Sequence, residues 1–93
     1  MVLRLVRFTL EDGAAAQAIA DGILPEIKRE PGVIRAVVFG EASTGECGVA
    51  ILWESQAHAE AAARILRPKL ESLVANRLLG ALDVRLFPVL AEG

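Results

Sequence analysis

The sequence of 93 residues contains few of the side chains that carry most protein chemistry. It has one cysteine, one histidine, one tryptophan, three phenylalanines and no tyrosine. The single cysteine, Cys47, excludes a disulfide within the chain, and one histidine with one cysteine cannot form a transition-metal site without a carboxylate cluster, which the sequence does not show. It also contains no glycine-rich phosphate loop and no nucleophile elbow. We therefore expect neither a metal nor a cofactor.

Runs of one charge and long apolar runs are also scarce. The 10 basic and 12 acidic residues are scattered singly and give a formal net charge of -2, so no basic stripe predicts contact with nucleic acid. No uncharged run approaches the roughly 18 residues that a membrane span needs. Arg4 and Arg7 lie in an alternating pattern near the N-terminus, unlike a signal peptide. We expect a cytoplasmic protein with neither nucleic acid nor a membrane as its partner.

Hydrophobic residues, in contrast, are abundant. They make up 54% of the chain before its 8 glycines are counted, whereas about 45 to 50% with glycine included is usual. The length predicts one domain over residues 1–93, and a domain of this size buries only roughly 60 to 65% of its unfolded surface. The surplus of apolar surface predicts contact with another subunit.

The stretch from Cys47 to Trp53 is the most informative part of the chain. None of its residues is charged, so we expect a strand that is buried on both faces, at the centre of a sheet. Side chains alternate along a strand, which defines two rows. One row contains Cys47, Val49, Ile51 and Trp53, and the other contains Gly48, Ala50, Leu52 and Glu54.

Three more strands and two helices are predicted around this stretch. The strands are Val2–Leu10, Val33–Phe39 and Leu82–Leu90, and the helices run from Ala14 to about Glu30 and from Gln56 onward. Ser55 is well placed as the N-cap of the second helix, and Gly80 as its C-cap. Pro25 predicts a kink or a division of the first helix, and Pro68 an interruption of the second. Pro88 places the last strand at a sheet edge.

The order strand, helix, strand, strand, helix, strand is that of an α+β, ferredoxin-like βαββαβ sandwich. Right-handed crossovers favour the antiparallel sheet order 4-1-3-2. The helices can cover only one face of this sheet, yet the other face is also apolar. At roughly 25 cal/mol per Å², a few hundred Å² of exposed apolar sheet forgoes several kcal/mol, which is comparable with the stability of a small domain. The sequence thus predicts a homodimer packed sheet to sheet.

Several local features resemble the dimeric α/β-barrel superfamily, and within it the antibiotic-biosynthesis-monooxygenase-like domains. They are Gly13, the Pro31-Gly32 pair, the Trp53-Glu54-Ser55 junction and the broken second helix. The resemblance covers nearly the whole chain. It implies protomers paired through their sheets, each with a small apolar cavity between sheet and helices. Some members are cofactor-independent oxygenases of phenols or quinols, some degrade haem, and many have no known activity.

The catalytic residues of those enzymes are not found in this sequence. The asparagine, tryptophan and histidine of haem-degrading relatives correspond to Val6, Ala62 and about Ser72, and the tyrosine of phenol-oxidising relatives is absent. Two hypotheses stay open. One is a monooxygenase-like enzyme that acts on a small aromatic or quinol-type molecule. The other is a non-catalytic dimer with a ligand-binding, structural or regulatory role.

Five residues are candidates for a site. His58, in the first turn of the second helix, is a candidate general base, although a lone histidine among alanines is more often a packing or solvated residue. Trp53 is a candidate for stacking on a planar ligand. Val6, Phe8 and Phe39 would complete an apolar pocket, although large aromatic residues are also the usual material of a core.

Four arginines interrupt otherwise apolar strands, and a guanidinium group is costly to bury unpaired. They are Arg4, Arg7, Arg35 and Arg85, with Glu46, Glu54 and Asp83 as candidate partners. Alternatively, one of these arginines holds an acidic or phenolate ligand. Cys47 has no electropositive setting in the sequence, so we expect it to be a small buried hydrophobe.

Overall fold

A computed structural model describes all 93 residues and contains the predicted four strands and two helices in the predicted order. The strands are β1 (Val2–Leu10), β2 (Val33–Gly40), β3 (Glu46–Trp53) and β4 (Leu78–Pro88), and the helices are α1 (Ala16–Lys28) and α2 (Gln56–Val74). Every strand pair is antiparallel and the sheet order is β2-β3-β1-β4. This confirms the predicted order 4-1-3-2 and the ferredoxin-like fold.

Side-chain caps begin both helical segments. The Asp12 side chain accepts a hydrogen bond from the Ala14 N–H at 3.0 Å and starts a short 3-10 turn over Gly13–Ala15 that leads into α1. Ser55 Oγ accepts the His58 N–H at 3.2 Å and starts α2, as predicted. Each cap satisfies one of the amide groups that a helix N-terminus leaves without a partner.

The prolines do not divide the helices, so the predicted interruption at Pro68 and the predicted division at Pro25 are wrong, while the kink that was the alternative at Pro25 stays a prediction. Pro25 lies inside α1 and Pro68 inside α2, and each helix is continuous. A proline deprives the carbonyl four residues earlier of its donor, here the carbonyls of Asp21 and Arg64. All four residues are exposed, so water can satisfy these carbonyls while the buried side of each helix keeps its packing.

The last strand begins earlier than predicted. β4 starts at Leu78 rather than at Leu82 and ends at Pro88 rather than at Leu90. Gly80, with φ of +75°, lies within the strand beside a register shift instead of capping α2. A glycine with positive φ suits a bulge as well as it suits a helix C-cap. β4 is an edge strand, as Pro88 predicted.

The two helices cover one face of the sheet, where the β3 row of Cys47, Val49, Ile51 and Trp53 is almost fully buried. The rest of this core comes from Val6, Phe8 and Leu10 of β1, Ile19, Ile23 and Ile27 of α1, and Ala59, Ala62, Leu66, Leu70 and Val74 of α2. Neither helix has the length and apolarity needed to cross a membrane.

No helix covers the other face, which we call the open face. Strand register assigns to its apolar part Leu3 and Leu5 of β1, Val37 and Phe39 of β2, Gly48, Ala50 and Leu52 of β3, and Leu79 and Phe87 of β4. Four of the eight large hydrophobic side chains that the structure exposes belong to this face, two on each edge strand.

Candidate functional site

A cavity of about 80 Å³ lies between the sheet and the helices. Of its 14 lining residues, 12 are hydrophobic, and the other two are Arg4 and Arg67. The hydrophobic ones are Val6, Ile23, Ile27, Val49, Ile51, Trp53, Ala59, Ala63, Leu66, Leu70, Leu82 and Val84. One water needs roughly 10–15 Å³ on a comparable measure, and a cavity of roughly 150 Å³ holds benzene, so a single aromatic ring would fill this cavity and project from it.

The space exists because α2 presents small side chains to the sheet. Ala59 and Ala63 lie one turn apart on the side of α2 that lines the cavity, and Arg67 follows one turn later. A longer apolar side chain at either alanine would occupy this volume. The alanine-rich start of α2 therefore shapes the cavity.

Trp53 closes one side of the cavity. Its side chain is only 1% exposed, and its indole N–H is the one buried side-chain polar group without a hydrogen-bond partner. A buried donor without an acceptor costs about 1–3 kcal/mol. Trp53 thus combines an apolar surface on the cavity with a hydrogen-bond donor that the protein itself leaves unsatisfied.

The two arginines give the lining its only charges. Arg4 is half-buried on β1, between the apolar register partners Ile51 and Leu86, and forms no ion pair. Arg67 Nε lies 3.5 Å from Glu71 Oε1, and its side chain is 60% exposed. Because Arg67 both lines the cavity and contacts solvent, the cavity reaches the surface at that end.

The structure brings together some of the sequence-predicted site residues and not others. Val6 and Trp53 line the cavity. Phe8 is buried in the core beside it without lining it, and Phe39 lies on the open face, on the opposite side of the sheet. His58 is not part of the lining either.

His58 has instead a defined place at the start of α2. Its Nδ1 lies 2.8 Å from Ser55 Oγ, the atom that also accepts the His58 N–H. The imidazole packs directly on the α carbon of Gly32, where a β carbon would collide with the ring. The carbonyl of Gly32 accepts the Glu54 N–H at 2.8 Å. His58 therefore fastens the turn before β2 to the junction of β3 and α2.

Neither metal ligation nor thiol chemistry is built into this region. No group of three or more His, Cys, Asp or Glu side chains lies together where it could hold a metal ion. Cys47 is buried with 4% exposure, and this burial raises the pKa of its thiol above the ordinary value. The thiol therefore behaves as the small buried hydrophobe that the sequence predicted.

Comparison with known proteins confirms the fold expected from the resemblance. No family model matches the chain, and no curated protein matches it in sequence. Among solved structures, a protein of unknown function from Nitrosomonas europaea is 18% identical with a TM-score of 0.86, over 99% of this chain and 91% of that one. SnoaB, a cofactor-independent oxygenase from Streptomyces nogalater, is 16% identical with a TM-score of 0.77, over 98% and 94%.

A third structure, described as an antibiotic biosynthesis monooxygenase, is 11% identical with a TM-score of 0.77, over 98% of this chain and 100% of that one. At these identities the similarity is one of fold. The chain thus has the ferredoxin-like fold seen in antibiotic biosynthesis monooxygenase structures.

Proposed function

We propose that this chain is a homodimeric, monooxygenase-like protein that oxidises a small aromatic or quinol-type molecule in the cavity with molecular oxygen and without a cofactor. The observation that carries this proposal is the cavity itself, which is apolar, closed on one side by Trp53 and open at Arg67. The fold shared with SnoaB supplies the reaction class, as an analogy. The proposal includes a cytoplasmic location. It is supported by the only cysteine, which is a free, buried thiol.

The lining suits an oxidation in which the substrate supplies all the electrons. Two guanidinium groups favour the ionised form of a phenol, because a nearby positive charge lowers the pKa of an acid. The anion is more easily oxidised than the neutral phenol. An aromatic methylene group and O2 can then give a carbonyl group and water, with no external reductant, while the apolar lining limits the access of bulk water.

The open face supports the dimer. The exposed side chains of Val37 and Phe39 on one edge and Leu79 and Phe87 on the other leave a broad apolar surface in water. Such surfaces on small proteins mark interaction sites, and a two-fold dimer that uses the same surface on both protomers is the commonest arrangement.

Charges of both signs on the open face favour a second copy over another partner. Strand register assigns Arg7, Arg35, Glu46, Asp83 and Arg85 to this face, with both signs present. Arg85 Nε lies 3.3 Å from Asp83 Oδ2, and both side chains are more than half exposed. A surface that carries both signs can be complementary to itself under a two-fold rotation.

Oxygen uptake by the purified protein tests the enzymatic proposal. The substrates are a panel of quinols and of phenols that carry a benzylic methylene group. We expect uptake with at least one of them, and loss of that uptake in Ala63→Leu, which fills the cavity. Ala61→Leu is the matched control, because Ala61 is exposed on α2 and does not line the cavity. Uptake that survives Ala63→Leu would place the reaction elsewhere.

One observation favours the non-catalytic alternative. The lining contains no His, Asp, Glu, Cys or Tyr, so it offers no general base within the cavity. A dimer that binds an aromatic molecule without changing it fits the same lining. Binding reported by Trp53 fluorescence, with no oxygen uptake across the panel, would establish this alternative.

A further inference from the structure

The lining of the cavity carries a positive charge that nothing within it balances. Arg4 is half-buried and belongs to none of the ion pairs of the protein. Arg67 contacts Glu71, but Glu71 is not part of the lining. The cavity therefore presents two guanidinium groups and no carboxylate to whatever occupies it.

The position of Arg4 makes this charge significant. Its register partners are Ile51 on β3 and Leu86 on β4, and neither side chain can accept a hydrogen bond. Withdrawing a guanidinium group from water without a partner costs free energy. A valine or leucine would suit the helix-facing side of β1 at this position, as Val6 does two residues later.

We propose that the cavity binds a carboxylate whose body is a single aromatic ring, with Arg4 holding the carboxylate and Arg67 contributing a second positive charge at the mouth. The planar guanidinium matches the two oxygens of a carboxylate in a bidentate arrangement. The inference rests on the proposed function, because it uses the same cavity, and it narrows the ligand from small aromatic molecules to anionic ones.

Size and polarity support this class of ligand. The volume of about 80 Å³ admits no more than one ring, which would project through the mouth at Arg67, and the 12 hydrophobic lining residues suit an apolar body. Trp53 adds an aromatic surface to the wall of the cavity, against which a planar ring can pack. The ligand is therefore apolar in its middle and anionic at the end that meets Arg4.

Trp53 is also the reporter for the test. The chain has one tryptophan, so indole fluorescence and the single indole resonance in a proton–nitrogen NMR spectrum both report on the cavity. The probes are benzoate and its neutral isostere benzamide, with phenol to represent a weakly acidic hydroxyl and acetate to represent a carboxylate without a ring. We expect benzoate to shift the indole resonance and to bind at least about tenfold more tightly than benzamide or acetate.

Variants of the arginines show which residue is responsible for the preference for benzoate over benzamide. Arg4→Met should abolish the preference for benzoate over benzamide, and Arg4→Lys should keep part of it. Arg7→Met is the matched control, since Arg7 lies on the same strand but on the open face. For the mouth, Arg67→Gln should weaken benzoate binding several-fold, with the exposed Arg64→Gln as its control. Thermal unfolding of each variant shows whether it has kept its fold.

The outcomes separate this inference from the function on which it rests. Equal binding of benzoate and benzamide would show that the cavity does not recognise a carboxylate and leave it as a site for neutral aromatic molecules. A preference for benzoate that Arg4→Met leaves intact would overturn the role of Arg4. A preference for phenol over benzoate would assign the site to phenolates. Benzoate binding without oxygen uptake across the panel would uphold the inference and overturn the oxidation. If no probe shifts the indole resonance, the inference is wrong, and oxygen uptake with the panel of quinols and phenols decides the proposed oxidation separately.

Discussion

The ring of Phe39 lies over the α carbon of Gly48 on the neighbouring strand, in the space that a β carbon at position 48 would take. The two residues are register partners on the open face. Gly48 is buried by this contact, while the Phe39 ring is still 43% exposed. The absence of a side chain at Gly48 therefore lets the ring lie flat against the sheet and present an apolar surface outward.

Replacing this ring by a charge should prevent dimerisation. In Phe39→Lys, an ammonium group takes the place of the exposed ring on the surface of the proposed dimer interface, where its removal from water would cost free energy. We expect the dimer dissociation constant to rise at least about tenfold, as measured by analytical ultracentrifugation. Aggregation is the other expected result, if the rest of the open face then associates without specificity.

Ile65→Lys is the control for this change. Ile65 is 48% exposed, much like Phe39, but it lies on α2 and away from the sheet. Its replacement by lysine should leave the association state unchanged. A wild-type protein that sediments as a monomer at micromolar concentration would contradict the proposed dimer before any variant is made.

Removal of the His58 side chain should affect stability rather than ligand binding. His58→Ala loses the Nδ1 contact with Ser55 and the packing on Gly32, but keeps the backbone N–H that Ser55 caps. We expect the free energy of unfolding in urea to fall by about 1 kcal/mol. Binding of benzoate, followed by Trp53 fluorescence, should be unchanged.

The same variant tests the predicted role of His58 as a general base. If His58→Ala abolishes oxygen uptake while ligand affinity stays constant, the histidine takes part in the reaction, and the prediction from its position in the first turn of α2 is correct. His58→Gln separates the effects further, because the glutamine amide can bond to Ser55 but does not titrate.

An ion pair between the two helices should make the free energy of unfolding depend on pH in the acidic range. Lys69 Nζ lies 2.6 Å from Glu26 Oε2 and joins α2 to α1. The hydrogen bond from Lys69 holds the pKa of Glu26 below its ordinary value, with smaller coulombic contributions from Lys69 and Arg29, while partial desolvation opposes them. Lys69→Met should therefore raise the pKa of Glu26 towards the ordinary value, as measured by carbon NMR titration of its carboxyl group.

The sign of the stability effect follows from the direction of this shift. A carboxyl group with a lowered pKa in the folded state stabilises the protein above its ordinary pKa and loses that contribution as pH falls through the folded value. The stability difference between wild type and Lys69→Met should thus be present at neutral pH and disappear in acid. Arg29→Met, which removes the weaker neighbour, should shift the pKa of Glu26 less.

The uncharged stretch from Cys47 to Trp53 correctly predicted a central strand of the sheet. Its expected burial on both faces holds fully only on the side that the helices cover, because Ala50 and Leu52 on the open face are half-buried. Alternation along this stretch defined the two rows but did not decide which of them faces the helices; the structure places the row of Cys47, Val49, Ile51 and Trp53 there. The predicted division at Pro25 and interruption at Pro68 were wrong because local propensity does not include tertiary packing. Ile23 and Ile27 are buried on either side of Pro25, and Leu66 and Leu70 on either side of Pro68. This packing keeps each helix continuous across a lost hydrogen bond.

The cavity could be predicted only in part. The junction at Trp53 indicated an aromatic residue between sheet and helices, and the arginine in the apolar β1 pattern indicated an unusual position at Arg4. Ala63 and Arg67 were missed, because a helical face can be assigned to a cavity only when the distance between helix and sheet is known. The spacing of four residues from Ala59 to Ala63 and on to Arg67 was the available signal.

Burial of Cys47 should make the protein less stable in alkali. Burial raises the pKa of the thiol above its ordinary value in the folded state, and Sγ lies 3.5 Å from the Gly45 carbonyl oxygen, to which the S–H donates. As pH rises past the ordinary thiol pKa of about 8.5, the unfolded chain loses a proton that the folded chain still holds. Stability therefore falls with rising pH in this range, since the unfolded state binds fewer protons.

Urea unfolding of wild type and Cys47→Ala at about pH 7 and about pH 10 measures this effect. The two proteins share every other titrating group, so we expect wild type to lose more stability between these pH values than Cys47→Ala does. A thiol reagent should also modify Cys47 in the folded protein far more slowly than in urea, because the thiolate is the reactive form and the sulfur is buried. Equal pH dependence of the two proteins, together with rapid modification of the folded chain, would show that the β3 row opens to solvent at Cys47.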